Sequence, residues 1–319
     1  MVDKINWGVL SSADTARTRW IPPLLRYTNN ARLYAVSSRS TVGLKLLEPF
    51  GAEKSYLSYD ELLADPKVDA VFIPLPNTLH LEWAIKAMEA KKHVLCEKPL
   101  AMSPAEIELM EKASTDNGVL LTEAFACMHT PLYSTLRNII QDGKIGEIRV
   151  LNSTFAYMDQ GSYRLDRSLG GGAVYDVGCY TVLTIRQLSG REPIMVKNIV
   201  EKNESGCDLS CFTLMDMGDG VRGVSRVALN TANRRGTSVW GTKGTLSFDR
   251  TPNAYGKTPI ALSDASGTHI YTMFNKNSYA LEIEQFGRCI THGERPVMTL
   301  EESKKNMRAL EMILRDIQY

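Results

Sequence analysis

The segment that decides the fold reads INWGVLSSADTA, residues 5–16. Its first half is an apolar run of strand length, and small residues follow at once. In a dinucleotide-binding unit the first strand leads into a G-x-G-x-x-G/A turn, where backbone amides and a helix N-terminus meet a pyrophosphate. Ser11, Ala13 and Ala16 occupy those three positions, so each is small and none is glycine. Taken alone the turn is a weak match, and an ordinary strand-to-helix turn explains it about as well.

A regular alternation of strand and helix patterns follows this segment. Short apolar runs predict four further strands, at residues 32–38, 69–74, 93–96 and 119–122. Between them, Ser58 with Glu61 and Ser103 with Glu106 have the spacing of helix-capping boxes. Near-continuous apolar strands separated by helices are typical of a parallel sheet that is covered on both faces. Residues 1–123 are therefore predicted to form an α/β domain with a doubly wound parallel sheet, the Rossmann arrangement.

The pattern changes after residue 123. One helix is predicted at 132–142, and strand-like runs then recur without regular helices between them, at 148–157, 195–200, 209–215, 221–229, 238–240 and 245–248. Glycine-rich turns separate the later runs, as in an antiparallel sheet. Two more helices are predicted at 279–292 and 300–317. Residues 124–319 are thus expected to form an α+β domain with a large, mostly antiparallel open sheet, for substrate binding and oligomerisation.

One face of that sheet is expected to form an interface. A helix layer covers a single face, whereas residues 209–215 and 221–229 carry apolar side chains for both. An exposed apolar face larger than a few hundred Å² usually marks a contact with another molecule. We therefore expect a homo-oligomer that forms through the open face.

Composition narrows the class of protein. The 37 Lys and Arg nearly balance the 36 Asp and Glu, so nucleic acid and membrane surfaces are not expected partners. No apolar run has the length of a membrane span, and the N-terminus has no signal-peptide pattern. The six Cys and five His have no spacing typical of a disulfide framework or a metal site. The sequence predicts a cytoplasmic protein with reduced cysteines and without a bound metal.

The end of the second predicted strand bears on cofactor choice. An NAD-dependent enzyme usually presents Asp or Glu there to the ribose hydroxyls. This chain has Ser38 followed by Arg39. A guanidinium pairs with a 2′-phosphate that an acidic residue would repel, so the sequence favours NADP(H) over NAD(H). The alternative is that Arg39 is an ordinary solvated surface residue.

Two motifs carry a family resemblance. They are EKP at residues 97–99, in the fourth-strand position, and GGGAVYDVGCY at residues 170–180. With them the chain resembles the Gfo/Idh/MocA oxidoreductases, which include glucose–fructose oxidoreductase and inositol dehydrogenase, almost from end to end. It is most similar to the branch in which Tyr closes the second motif, which includes dimeric dihydrodiol dehydrogenases and NADP-dependent xylose dehydrogenases. The resemblance implies a homodimer or a dimer of dimers.

The same resemblance implies the catalytic residues. Lys98 would be catalytic and contact the nicotinamide ribose, Tyr180 would be the acid/base, and Asp176 would orient the substrate or the catalytic pair. A free Tyr, with a pKa of about 10, is a poor base at neutral pH. A Lys ammonium beside it favours the phenolate and lowers that pKa. Without the family context, these residues would be read as a surface Lys, a packed Tyr and a helix N-cap.

Further site residues follow from the resemblance and from position. The candidate cofactor contacts are Ser11, Ala13, Ser38, Arg39, Pro74, Asn77, His80, Glu97 and Lys98. The candidate substrate contacts are Phe125, Phe155, Tyr163, Arg164 and Asp176. Core packing is the alternative for His80 and for the aromatic residues. Relatives often have Arg and then His-Pro after the E-A-F stretch, whereas this chain has Met128 and Thr130 there, with His129 out of step by one.

These observations favour an NAD(P)-dependent dehydrogenase or reductase. Its substrate would be a sugar, deoxysugar, polyol or vicinal diol, and Lys98 with Tyr180 would move the proton. The alternative is a cofactor-binding sensor or regulator without turnover. Retention of both residues argues against a sensor, which has no use for a tuned proton pair.

Overall fold

The computed structural model describes residues 4–249, 253 and 255–318. The chain divides into two compact units. The first comprises Met1–His129 with Lys276–Ser303, and the second comprises Thr130–Asn275 with Lys304–Tyr319. The expected boundary near residue 123 thus lies a few residues early, and the expected single C-terminal segment is interrupted, because 276–303 returns to the first unit.

The helices and strands follow in chain order. The strands are β1 (Ile5–Leu10), β2 (Ala31–Ser37), β3 (Lys54–Tyr56), β4 (Ala70–Ile73), β5 (His93–Glu97), β6 (Leu121–Ala124), β7 (Ile148–Met158), β8 (Met195–Lys202), β9 (Asp208–Asp216), β10 (Arg222–Ala228), β11 (Asn230–Gly241), β12 (Gly244–Phe248), β13 (Gly256–Asp264) and β14 (Gly267–Asn275). The helices are α1 (Ile21–Tyr27), α2 (Thr41–Leu47), α3 (Tyr59–Ala64), α4 (His80–Glu89), α5 (Pro104–Asn117), α6 (Leu132–Gln141), α7 (Cys179–Ser189), α8 (Ser278–His292) and α9 (Leu300–Asp316).

The first unit is built on a six-stranded parallel sheet with the order β3-β2-β1-β4-β5-β6. The order reverses between β1 and β4, which gives the doubly wound arrangement predicted from the sequence. Its core centres on Trp7, whose ring lies 5.0 Å from those of Trp20 and Phe286. Phe286 is on α8, so this late helix covers the first sheet. A local apolar pattern cannot say which core an amphipathic helix will join, which is why 276–303 is misassigned from sequence.

Ser58 and Ser103, the predicted cap residues, cap α3 and α5 with their side chains. The Ser103 hydroxyl accepts the Glu106 amide at 3.2 Å, and the Glu106 carboxylate accepts the Met102 amide at 2.8 Å. Gly118 ends α5 with φ of 65°, a conformation that favours glycine. The predicted capping box of α5 is confirmed, and it places the turn before α5 next to the end of β5.

The second unit is built on an eight-stranded sheet with the order β14-β13-β12-β11-β7-β10-β9-β8. Only the β7–β10 pair is parallel, so the expected large, mostly antiparallel sheet is confirmed. Helix α7 packs against β7 and β10 on one face. In the described part of the chain, no helix is both long and apolar enough to cross a membrane.

Four elements differ from the sequence prediction. Helix α7 lies between two predicted strands, where no helix is expected, because eight of its residues are buried and its sequence has no continuous polar stripe. Strand β3 has only three residues, none of them fully buried. Strands β13 and β14 are rich in polar residues, and β14 is mostly exposed. All four lack the apolar periodicity on which the predictions rest.

Candidate active site

The predicted cofactor residues of the first unit share one edge of its sheet. Ser11 follows β1, Ser38 follows β2, Pro74 follows β4 and Lys98 follows β5. In a parallel sheet the carboxyl ends of the strands meet at one edge, and ligands of doubly wound folds bind there. Phe125 follows β6 at the same edge, but its side chain is fully buried.

The turn after β1 has an unusual backbone. Ser11 adopts φ of 109°, a region that favours glycine, and the residue is not a glycine. Its amide donates to the Ser37 carbonyl at 2.9 Å, and its hydroxyl accepts the Ala13 amide at 3.0 Å. These bonds hold the strained conformation. Such strain is concentrated at ligand-binding positions, and the absence of glycine from the motif is therefore compatible with a phosphate-binding turn.

The end of β2 carries a positive charge and hydroxyl groups, which are the groups that a 2′-phosphate site needs. Arg39 is exposed, with its guanidinium carbon 5.7 Å from the centre of the Tyr59 ring. The Ser38 and Ser12 hydroxyls lie 3.4 Å apart beside it. A Cβ at Gly43 would collide with both hydroxyls, so glycine is needed for α2 to approach this turn. The exposed cation and adjacent hydroxyls suit an anionic phosphate group.

Hydrogen bonds from β6 and from α4 hold the turn that carries Lys98. The Leu100 amide donates to the Glu123 carboxyl group at 2.9 Å. The Pro99 carbonyl lies 2.9 Å from Nδ1 of His80. Glu97, just before the lysine, is only 9% exposed, and its carboxylate accepts the Lys98 amide at 3.2 Å. The backbone of the turn is thus held independently of any ligand.

His80 has a different environment from the one predicted. It is fully buried, and its Nε2 lies 2.9 Å from the Leu75 carbonyl, so both ring nitrogens face backbone oxygens. Burial lowers its pKa. Placed in this way, His80 joins the Leu75 and Pro99 segments instead of offering a nitrogen to a cofactor. The side chain of Asn77 is also largely buried, 5% exposed, in the turn before α4.

A buried group of ionisable residues, which sequence reasoning missed, lies behind this edge. Glu123 is 3% exposed, Glu282 is 1% exposed and the His129 side chain is 6% exposed. Nδ1 of His129 lies 4.0 Å from the Glu282 carboxyl group. Burial raises the pKa of Glu282 well above its usual value and lowers that of His129 to about 4. Both are therefore neutral at neutral pH, and His129, out of step in the sequence motif, belongs to this group.

In the second unit, the glycine triplet holds the loop that precedes it. The Gly171 and Gly172 amides donate to the Asp166 and Arg164 carbonyls at 2.9 and 2.8 Å. A Cβ at Gly171 would lie 2.5 Å from the Arg164 carbonyl oxygen, so a larger residue would push the loop away. This is why the sequence needs glycine here: it brings Arg164 to the helical turn Val174–Gly178.

Asp176, in that helical turn, receives two side-chain hydrogen bonds. The Tyr157 hydroxyl donates at 2.6 Å and the Arg164 guanidinium at 3.0 Å, and Asp176 is 8% exposed. Burial and the Asp176 charge raise the pKa of Tyr157, so this phenol keeps its proton. Burial alone lowers the pKa of Arg164, but Asp176 and neighbouring groups raise it. Asp176 is therefore held in place by a phenol and a guanidinium.

Tyr180 lies one helical turn after Asp176, at the start of α7, and is half-buried. Its ring centre lies 5.6 Å from that of Phe155. The Arg235 guanidinium carbon lies 4.6 Å from the Phe155 ring centre, and that of Arg164 lies 4.9 Å from the Tyr163 ring centre. The predicted catalytic tyrosine and the predicted substrate residues Phe155, Tyr163, Arg164 and Asp176 thus come together. Arg235 and the hydroxyl role of Tyr157 have no local signal in the sequence.

This arrangement can perform proton transfer beside an aromatic surface. The side chain of Tyr180 is only half-buried, whereas the Tyr157 hydroxyl is engaged with Asp176. A phenol that ionises needs a nearby charge or donor, and a phenol bound to a carboxylate does not ionise readily. Tyr157 is therefore not suited to act as acid or base.

Comparison with known protein families agrees with this geometry. A model of an oxidoreductase family with an NAD-binding Rossmann fold, Gfo/Idh/MocA, matches residues 8–125, and a model of the Gfo/Idh/MocA C-terminal domain matches residues 133–247. The chain belongs to the Gfo/Idh/MocA family. The resemblance inferred from the two sequence motifs is confirmed.

Several proteins similar to this chain are named for their action on sugars. The chain is 30% identical to the D-xylose 1-dehydrogenase (NADP(+)) 2 of Haloferax volcanii, over 96% of this chain and 95% of that protein. It is 32% identical to a dTDP-3,4-didehydro-2,6-dideoxy-α-D-glucose 3-reductase of Streptomyces violaceoruber, over 82% and 78%. A 3-ketoreductase from Actinomadura kijaniata, crystallised with NADP and TDP-benzene, is similar in structure with a TM-score of 0.90. Its identity is 25%, over 97% of this chain and 96% of that one.

Proposed function

We propose that this protein is an NADP(H)-dependent oxidoreductase that transfers a hydride between nicotinamide and a sugar, deoxysugar, polyol or vicinal diol. The observation that carries the proposal is the Asp176 carboxylate, held by Tyr157 and Arg164 one turn before Tyr180 in a chain of this family. Relatives named as sugar dehydrogenases and reductases support the substrate class.

NADP(H) is the proposed cofactor. The phosphate groups of the cofactor are assigned to Ser11, Ala13 and Ser38. The exposed guanidinium of Arg39 supplies the positive charge that a 2′-phosphate requires. Two relatives support the same choice: the xylose dehydrogenase carries NADP(+) in its name, and the ketoreductase was crystallised with NADP. Pro74, Asn77, Glu97 and Lys98 are proposed to line the nicotinamide end.

The proton balance assigns roles to the residues. When an alcohol is oxidised, its carbon loses a hydride, its hydroxyl loses a proton and a carbonyl double bond forms. Bound NADP⁺ supplies the hydride acceptor, and bound NADPH the donor in the reverse direction. Tyr180 takes the hydroxyl proton in oxidation and returns it in reduction. To Lys98 we assign the positive charge that favours the phenolate form of such a base.

Substrate binding is assigned to the second unit. Phe155 and Tyr163 offer ring faces, on which the C–H face of a sugar ring can pack. The Arg164 guanidinium and the Asp176 carboxylate provide polar groups of fixed position for hydroxyls. Phe125 is not assigned to this pocket, since its side chain is fully buried in the first unit.

A homo-oligomer, a dimer or a dimer of dimers, is proposed through the open face of the eight-stranded sheet. By strand register, six large apolar side chains that are 48–78% exposed lie on this face, namely Ile199, Phe212, Leu214, Trp240, Ile270 and Phe274. Exposed apolar groups spread over one sheet face usually contact another protein surface.

A cytoplasmic location is also proposed. The six cysteines are free thiols, and five of them are buried. Unpaired cysteines are typical of proteins from reducing compartments.

A substrate panel tests the proposed function. Purified protein is mixed with NADPH or NADP⁺ and with aldoses, ketosugars, anhydrosugars and vicinal diols, and nucleotide absorbance is followed. We expect equimolar nucleotide and substrate conversion with at least one compound, and loss of it in Lys98→Met. Tight NADPH binding without turnover across the panel would contradict the enzyme and favour a sensor.

A further inference from the structure

Glu123 occupies an unusual position directly behind the Lys98 turn. It lies on β6 opposite Cys96 of β5, two residues before Lys98. One carboxyl oxygen, Oε1, accepts the Leu100 amide at 2.9 Å, so the side chain ties the turn to the neighbouring strand. The other oxygen, Oε2, is buried as well. The mechanism above gives this residue no role.

The Glu123 carboxyl group changes its charge near neutral pH. Burial raises its pKa to about 7, while the Ser303 hydroxyl, the Leu100 amide and Lys98 act to lower it and Glu97 acts to raise it. A buried carboxylate that gains or loses a proton changes the local field strongly, because little solvent screens it. Lys98 is within range of that field.

We propose that Glu123 is a positioning residue that acts through Lys98: it fixes the turn that carries the lysine and, by releasing or binding one proton, changes the charge that faces the ammonium group. When Glu123 is ionised, the Lys98 ammonium is stabilised and the lysine keeps its proton to higher pH. When Glu123 is protonated, that support is lost. Because the interaction is reciprocal, Lys98 biases Glu123 by the same free energy.

Other titratable groups surround Glu123 and must be considered. Those on the elements packed around it, and those that act on its neighbours, are Cys96, Glu97, Lys98, His129, Tyr279, Glu282, Arg288 and Arg19. Burial raises the pKa of the Cys96 thiol, the Tyr279 phenol and the Glu282 carboxyl, and lowers that of His129. Each of these four groups therefore stays uncharged around neutral pH, whereas Glu123 changes.

The test rests on the proposed function and uses Glu123→Gln. The amide oxygen still accepts the Leu100 hydrogen bond, but the side chain no longer ionises. We expect the alkaline limb of kcat/KM for alcohol oxidation, where Lys98 loses its proton, to move about one pH unit lower. The matched control is Glu282→Gln, which replaces an already neutral buried acid and should leave the limb in place. An unchanged Glu123→Gln profile, or an equal shift in Glu282→Gln, overturns the proposal.

A reciprocal measurement covers the case in which Glu123→Gln does not fold. In wild-type protein and in Lys98→Met, ¹³C-carboxyl NMR of labelled glutamate follows the titration of Glu123. We expect its midpoint to rise by about one pH unit when the lysine charge is removed. Identical midpoints overturn the proposal even if the wild type is active. If the wild type instead turns over no compound of the panel but the midpoint shifts, the proposed function fails and the coupling stands.

Discussion

The Tyr157 hydroxyl donates to Asp176 across 2.6 Å, and this bond joins strand β7 to the helical turn that precedes Tyr180. Strand β7 lies in the middle of the eight-stranded sheet, so its position is fixed by two neighbours. Arg164 completes the arrangement from the opposite side of the carboxylate. The orientation of Asp176 is thus set by the sheet and by the loop that the glycine triplet holds.

Tyr157→Phe tests this relationship. The substitution keeps the ring but leaves one Asp176 oxygen without its donor, and a hydrogen bond to a charged group contributes about 1.5–3 kcal/mol. We expect the free energy of unfolding to fall by that amount and turnover to fall with it. Tyr56→Phe is the matched control, since the Tyr56 hydroxyl donates to Asp65 at 2.7 Å in the first unit, whereas Tyr157 and Asp176 belong to the second. Urea unfolding and steady-state kinetics should show a stability loss in both variants and a kinetic loss in Tyr157→Phe alone. Equal kinetics in the two would show that the Tyr157 bond is only structural.

Arg39→Ala tests cofactor choice. Removing one charge-assisted phosphate contact should weaken NADPH binding tenfold to hundredfold, about 1.5–3 kcal/mol, and leave NADH binding nearly unchanged. Arg32→Ala is the control, because Arg32 also lies over a tyrosine ring, that of Tyr34 at 5.3 Å, but near the start of β2, whereas Arg39 follows its end. Fluorescence titration with both nucleotides measures the effect. Equal losses for NADPH and NADH would refute the 2′-phosphate role.

Phe212→Asp tests the proposed interface. Phe212 is 50% exposed on the open face of the second sheet, and a charge there would oppose contact between apolar surfaces. We expect light scattering to give a multiple of 35.5 kDa for the wild type and the mass of one chain for the variant, with similar melting temperatures. Leu109→Asp, at a 54% exposed apolar position on α5, should leave the mass unchanged. A wild-type monomer at micromolar concentration would end the proposal.

The sequence predicts much of the fold, and the reason is physical. Strands such as β1 and β4 are buried on both faces and read as unbroken apolar runs, and the Ser103 cap makes its bonds within a few residues. Lys98 and Tyr180 could be named because their motifs are specific to a family. Glu123 and Glu282 could not, since they meet only through tertiary packing and lie far apart in the chain.

Glu123 also predicts a pH dependence of stability. Its folded pKa, about 7, lies above the unfolded value of about 4.3, so the folded state binds the extra proton. That contribution is fully present below the unfolded pKa and is lost as pH rises to about 7, by roughly 4 kcal/mol at most. We expect wild-type stability relative to Glu123→Gln to fall between pH 4.5 and 7 and then level off, as measured by urea unfolding. His129, whose pKa is lowered to about 4, makes stability rise with pH over part of this range. Because His129 is present in both proteins, its contribution cancels when the wild type is compared with Glu123→Gln. Parallel curves across this range would contradict the assignment.

Tyr180→Phe separates the enzyme from a sensor. The substitution keeps the ring against Phe155 and removes only the hydroxyl, so no cavity opens and the melting temperature should change little. Turnover should fall by roughly 10²–10⁴, the usual contribution of general acid–base catalysis, while NADPH affinity stays near that of the wild type. Lys98→Met should reduce turnover as well, and on the proposed shared role of the two residues the double variant should be little worse than either single one. Kinetics, cofactor titration and thermal melts on all three variants provide the measurement. If Tyr180→Phe turns over normally and melts at a lower temperature, Tyr180 is a packing residue and the base must be another group.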